Sequence, residues 1–112
     1  MKHLMNLCEK PFLMIKNGFK RVEMRLYDEK RKLINKGDEI EFESLATGEK
    51  LIVMVNDIKV FKSFEELYKN YDKKALGYLE NESANHTDML QYYPSEDMQQ
   101  NGVCAIEIKL KN

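Results

Sequence analysis

Cysteine, proline and histidine each occur only twice among the 112 residues. Cys8 and Cys104 lie far apart, with neither a CxxC pair nor zinc-ligand spacing, so they read as reduced thiols of a cytoplasmic protein. A bond between them would need the first and last strands to be neighbours. His3 and His86 have no Cys, Asp or His partners at ligand spacing, so no metal is expected, and no other cofactor. No apolar run approaches the roughly 20 residues of a membrane-crossing helix. The opening MKHLMNLCEK has no long apolar segment and no small-residue cleavage site, so neither a secretory leader nor membrane association is expected. Repeats, linkers and low-complexity stretches are missing, as are the motifs of P-loop, Ser-His-Asp and dinucleotide-binding proteins.

An excess of positive charge is also lacking. The net charge of −1 argues against a protein that clamps duplex nucleic acid by bulk charge. The distribution says more than the sum. Residues 10 to 36 hold nine of the 18 Lys and Arg against three acids, Glu23, Asp28 and Glu29, so that window is +6 and the rest −7. That is either a solvated basic edge or a local anion site on an acidic protein. What remains is ordinary globular composition, 43% hydrophobic and 33% charged, in a length suited to a single domain, 1–112, expected as a monomer.

The apolar HLMNLC fits a first strand, and KPFLMIKNG a helix with Pro11 in its first turn and Gly18 just past its end. KRVEMRL alternates as a strand, and YDEKRKLINKGD is a polar connection with room for one helical turn, closed at Gly37–Asp38. DEIEFESL is a half-buried strand with Ile40 and Phe42 facing inward. After the ATGE hairpin, LIVMVNDIKVF is apolar on both faces and long enough to bend and serve two sides of a sheet. Ser63 and Glu66 form a capping box for the helix SFEELYKNY, whose stripe of Phe64, Leu67, Tyr68 and Tyr71 reads as core. Residues 72 to 101 are polar, with one or two short helices expected and Pro94 starting or interrupting the second. GVCAIEIKLKN is a final strand with Cys104, Ile106, Ile108 and Leu110 facing inward. The fold class is therefore α+β, a small mixed β-barrel of about five or six strands with flanking short helices, whose closure would also remove exposed edges.

The ordered pieces PFLMIKNGFKRVEMRLYDEKR, KGDEIEF, TGE, SFEELY and YYPSEDMQQNGVCAIEI resemble the ASCH domain family of the PUA-like superfamily. The features that carry the likeness are a helix ending in Gly18, then Lys20, Glu23 and Arg25, then the Gly37–Asp38 turn opening a strand. The resemblance implies a PUA-like barrel with a cleft between the barrel and its helices, binding RNA or a modified nucleoside. It also implies an alternative. Some small bacterial members are amidohydrolases acting on N4-acetylcytidine, with a catalytic lysine that matches Lys20 and a glutamate from the later helical region. Glu80 or Glu82 would be that glutamate, Glu80 preferred. Those enzymes carry threonine where Glu23 stands here.

The residues themselves support either chemistry. Lys20, Glu23 and Arg25 converging in a cleft would hold a phosphate or nucleobase, Arg25 bidentately and Lys20 as a point charge. They would equally serve amide hydrolysis, with Lys20 as base or nucleophile, a glutamate moving the proton and Arg25 stabilising the oxyanion. Alternatively, Glu23 and Arg25 are a surface ion pair, and the charged strand docks another protein in a simple interaction module. Arg21 and Tyr93 are further ligand-binding candidates, and Lys30, Arg31 and Lys32 would be auxiliary contacts to RNA phosphates. Tyr92 and His86 are weaker cleft candidates.

Overall fold

The alternation in KHLMNL and EIEFES resolves into two strands, β1 (Lys2–Leu7) and β3 (Glu39–Ser44), which run parallel with Met5 opposite Phe42. Parallel neighbours need a crossover. Here it contains helix α1 (Glu9–Lys16), strand β2 (Val22–Leu26) and a 3-10 turn at Arg31–Leu33. In this computed structural model, which describes residues 1–111 without the side chains of residues 95 and 98, one mixed sheet runs β1-β3-β4-β5-β2. β4 (Lys50–Phe61) and β5 (Val103–Leu110) are both antiparallel to their neighbours. Asn112, the last residue of the expected final strand, lies outside the described residues.

The middle strand bends the sheet. β4 pairs with β3 through residues 50–54 and with β5 through residues 53–61, and its register shifts between Val55 and Asp57. Such an irregularity kinks and twists a strand, so the sheet curls into a half-barrel. Its inner face is filled by Phe12 and Ile15 of α1 against Met5, Ile40, Phe42 and Ile106. Helix α2 (Phe64–Lys69) covers the other face, packing Phe64 and Leu67 on Val22, Met24, Val103 and Ala105. β5 therefore buries Val103 and Ala105 as fully as the inward-facing Cys104 and Ile106. The sequence reading expected only one apolar face there. The second follows from the helical layer, because small residues at those positions let α2 approach.

The local stops are the expected ones. Asn17 ends α1, and Gly18 at φ +81° lets Phe19 and Lys20 both donate backbone N–H bonds to Met14. Ser63 Oγ accepts from Glu66 N at 3.2 Å and caps α2, which ends at Lys69, two residues short of the expected Tyr71. A 3-10 helix at His86–Gln91 is followed by α3 (Ser95–Asn101), which starts directly after Pro94. Both cysteines are free thiols, and no described helix is long and apolar enough to cross a membrane.

The half-barrel stops short of closure. β1 and β2 are the two edges of the sheet, and among the described residues no ladder joins them. A side chain spans the seam instead: Arg25 Nη2 on β2 donates to the Asn6 carbonyl on β1 at 2.8 Å. The inner positions of β2 carry Glu23 and Arg25, beside the gap that a fifth pairing would have to close.

Candidate functional site at the open seam

The seam opens into a cleft of about 500 Å³. β2 forms its floor, the end of β1 and the start of α1 one wall, and the segment from Leu76 to Tyr93 the other. Pairing register explains which side chains reach it. Glu23 and Arg25 lie opposite Ile106 and Cys104, so they occupy inner-face positions whose neighbours on β5 belong to the core. Lys20 precedes the strand, and the Gly18 turn frees it from strand alternation. It swings to the same side and becomes 8% exposed.

The three groups meet around one carboxylate. Lys20 Nζ lies 2.9 Å from Glu23 Oε1, while Arg25 Nε and Nη2 lie 2.8 and 2.7 Å from Glu23 Oε2. Both oxygens of Glu23 are thus taken, and the trio presents N–H donors to the cleft. Burial pushes the Glu23 carboxyl up, but Lys20 and Arg25 outweigh it and hold it at about 2. Burial likewise opposes the charge on Arg25, and the Glu23 carboxylate more than restores it, raising the guanidinium above its usual value. Two cations and one anion leave a formal charge of +1 in a buried place. That excess suits an anion or a hydrogen-bond acceptor.

The facing wall is aromatic and offers acceptors. Tyr78 donates to Asp88 Oδ2 at 2.7 Å, and Tyr68 lies 2.9 Å from the Tyr78 oxygen, so Tyr68 donates to Tyr78. Burial raises both phenol pKa values, so both keep their protons at neutral pH. Tyr93 stacks on Phe64 with centroids 6.1 Å apart, and burial raises its pKa although Arg25 beside it acts the other way. Among the described residues no three His, Cys, Asp or Glu are placed to hold a metal ion.

Gly77 roofs the Lys20 stem. Its φ is +103°, and a Cβ there would lie 3.0 Å from Lys20 Cδ. Gly77→Ala should therefore cost about 1–3 kcal/mol in denaturant unfolding through backbone strain and displace Lys20 from Glu23. A variant as stable as the parent would show that the turn relaxes freely.

The structure brings Lys20, Glu23, Arg25, Tyr93 and Tyr92 to one cleft. It leaves others outside. Glu80 is exposed and paired with Lys74, whereas Glu82 lines the cleft, with Oε1 accepting from Leu79 N at 2.7 Å and Oε2 from Lys10 Nζ at 3.2 Å. Of the two candidate glutamates, only Glu82 lines the cleft. Lys73 Nζ grips the carbonyls of both residues, at 2.8 and 2.6 Å, and the turn so fixed sends Glu80 to solvent. Arg21 is exposed and off the cleft, its backbone N–H bonded to the Ala75 carbonyl. Lys30 and Lys32 are exposed, Lys32 beside Glu29 at 3.3 Å, and Arg31 is held by Asp28 at 3.0 Å. None of these three lines the cleft. His86 sits elsewhere, 3.5 Å from Glu65. Tyr68, Tyr78, Asp88 and Gly77 escaped the sequence reading. One signal was available for Tyr68: a tyrosine in an apolar stripe needs a partner for its hydroxyl.

Comparison with known proteins places the molecule. The ASCH domain model matches residues 5–112. The crystal structure of hypothetical protein PH0355 is 37% identical, with a TM-score of 0.87 over 99% of this chain and 100% of that one. The solution structure of protein PF0455 from Pyrococcus furiosus is also 37% identical, with a TM-score of 0.72 over 98% of this chain and 97% of that one. The crystal structure of the S128A mutant of ZmASCH from Zymomonas mobilis is 14% identical, with a TM-score of 0.69 over 96% of this chain and 67% of that one, which is a likeness of fold. No curated protein matches.

Proposed function

Because this chain belongs to the ASCH domain family, we propose that its cleft binds a single nucleoside unit, either an unpaired nucleotide of RNA or a free modified nucleoside. The observation that carries this reading is the buried Lys20–Glu23–Arg25 cluster with its one surplus positive charge. Around it, about 500 Å³ walled by tyrosines is in the usual range of small-molecule sites and suits one base and sugar better than a polymer groove. Lys20 and Arg25 donate to the ligand's acceptors, and Glu23 fixes both in place. If the ligand is a strand, exposed Lys30 and Lys32 are available to its phosphates.

The test is a titration of free nucleosides, N4-acetylcytidine and short single-stranded RNA, followed by tyrosine fluorescence. Binding should weaken about 10- to 100-fold in Lys20→Ala, the usual worth of a charged hydrogen bond. Nucleoside binding should be nearly independent of salt, whereas RNA binding should fall with a slope near the number of phosphates touched. Failure of every one of these ligands at millimolar nucleoside or micromolar RNA would refute the proposal.

A second reading, amide hydrolysis of an N4-acylated cytidine, is favoured by Lys20 and two carboxylates, Glu23 and Glu82, lining one cleft. Water would add to the acyl carbon, the C–N bond would break, and the departing amine would take a proton. It ranks second because a carboxylate held at about 2 and committed to two cations is a poor proton acceptor. Turnover that survives EDTA and disappears in Lys20→Ala would promote it.

A further inference from the structure

The open edge of β2 carries a recognition element that no side chain reveals. In the β2–β5 ladder, Ile108 N–H donates to the Arg21 carbonyl and Tyr27 N–H to the Gly102 carbonyl. In an antiparallel pair the bonded positions alternate. The Arg21 carbonyl, residues 23 and 25 and the Tyr27 N–H therefore face β5, and residue 24 turns its N–H and C=O away. No other hydrogen bond among the described residues takes those two groups. Yet Met24 is only 7% exposed, and it lines the cleft although its side chain packs with Val22, Leu26 and Phe64 on the far face. A backbone donor and acceptor without protein partners at a cleft wall are open to a ligand or to water.

Resting on the reading of the cleft as a nucleoside site, we propose that the N–H and C=O of Met24 read the Watson–Crick edge of an unpaired base. One residue of an open strand edge offers a donor and an acceptor side by side. Uracil, cytosine, adenine and guanine each carry an adjacent acceptor and donor on that edge. Met24 lies between Glu23 and Arg25 in the chain, so a base seated on it stays within reach of the Lys20 and Arg25 donors. The occupant is a base and not an added peptide strand. A strand needs about 4.8 Å on each paired side, and the Arg25 side chain already spans the seam to Asn6.

This assigns the cleft to bases free of pairing partners and predicts rejection of a base whose Watson–Crick nitrogen is methylated. The experiment compares uridine with 3-methyluridine, cytidine with 3-methylcytidine and adenosine with 1-methyladenosine on the whole protein. Whichever parent binds should bind at least tenfold more tightly than its methylated form. A companion pair, Met24→Ala and Met24→Pro, loses the same packing, but only proline also removes the outward N–H, which no ladder bond uses. The proline variant should bind at least tenfold more weakly than the alanine variant. Equal affinity for methylated and parent nucleosides, or for the two variants where both fold, overturns the assignment. If binding survives those tests unchanged yet is lost in Lys20→Ala, the nucleoside site stands and only the role of Met24 falls. If nothing binds the parent protein, both fall together.

Discussion

Glu23→Gln should lower the unfolding free energy by about 3–5 kcal/mol, the largest single loss expected from any polar residue of the chain. The substitution keeps the shape and removes the charge, leaving Lys20 and Arg25 buried and facing each other without the carboxylate that both of them touch. Lys20→Met should cost less, because Glu23 and Arg25 remain as a neutral pair. Titration supplies an independent check. Glu23 is held at about 2 against a usual 4.5, so its contribution is complete above pH 4.5 and is lost as pH falls toward 2. Such a displacement corresponds to about 3 kcal/mol, in line with the cost of the substitution. Urea unfolding of parent and variant from pH 6 to pH 3 should therefore show the gap between them closing in acid. A constant gap would mean that Glu23 acts through its packing alone.

Arg25→Met should cost about 2–4 kcal/mol and loosen one particular edge. The guanidinium contributes two contacts to Glu23 and one to the Asn6 carbonyl, and that last bond is the described link between the two edge strands. Methionine fills similar space along the stem without replacing any of them. Amide hydrogen exchange should accelerate in β1 more than in β3, which keeps its antiparallel partner β4. Uniform acceleration across the sheet would show that Arg25 stabilises the fold as a whole and not the seam.

How much of this was legible beforehand can be judged residue by residue. The strands and the first two helices were readable because alternation, Gly18 and the Ser63 cap are local signals, and each holds here within about two residues. Convergence of Lys20 with Glu23 and Arg25 was left open by the sequence, since Lys20 sits two residues past the helix-ending Gly18 and ahead of the regular strand. The rest was not local. Val103 and Ala105 are buried because a helix from elsewhere in the chain covers them. Glu80 and Glu82 look alike in sequence, and only Lys73, gripping two carbonyls, decides which one faces the cleft. The unpaired edge of Met24 depends on the parity of a ladder whose partner lies at the opposite end of the described chain.

That same ladder orders events during synthesis. Among the described residues β2 pairs with β5 alone, Val22 opposite Glu107, so the strand bearing Glu23 and Arg25 has no neighbouring strand until residues 103–110 have left the ribosome. Contacts so distant along the chain form late. β1, β3 and β4 can assemble first around α1, while the charged strand waits in solvent, where its ions are cheaply hydrated. Desolvation of the trio and completion of the cleft then coincide in one final step, and a nascent chain halted before β5 would have a partial core but no site.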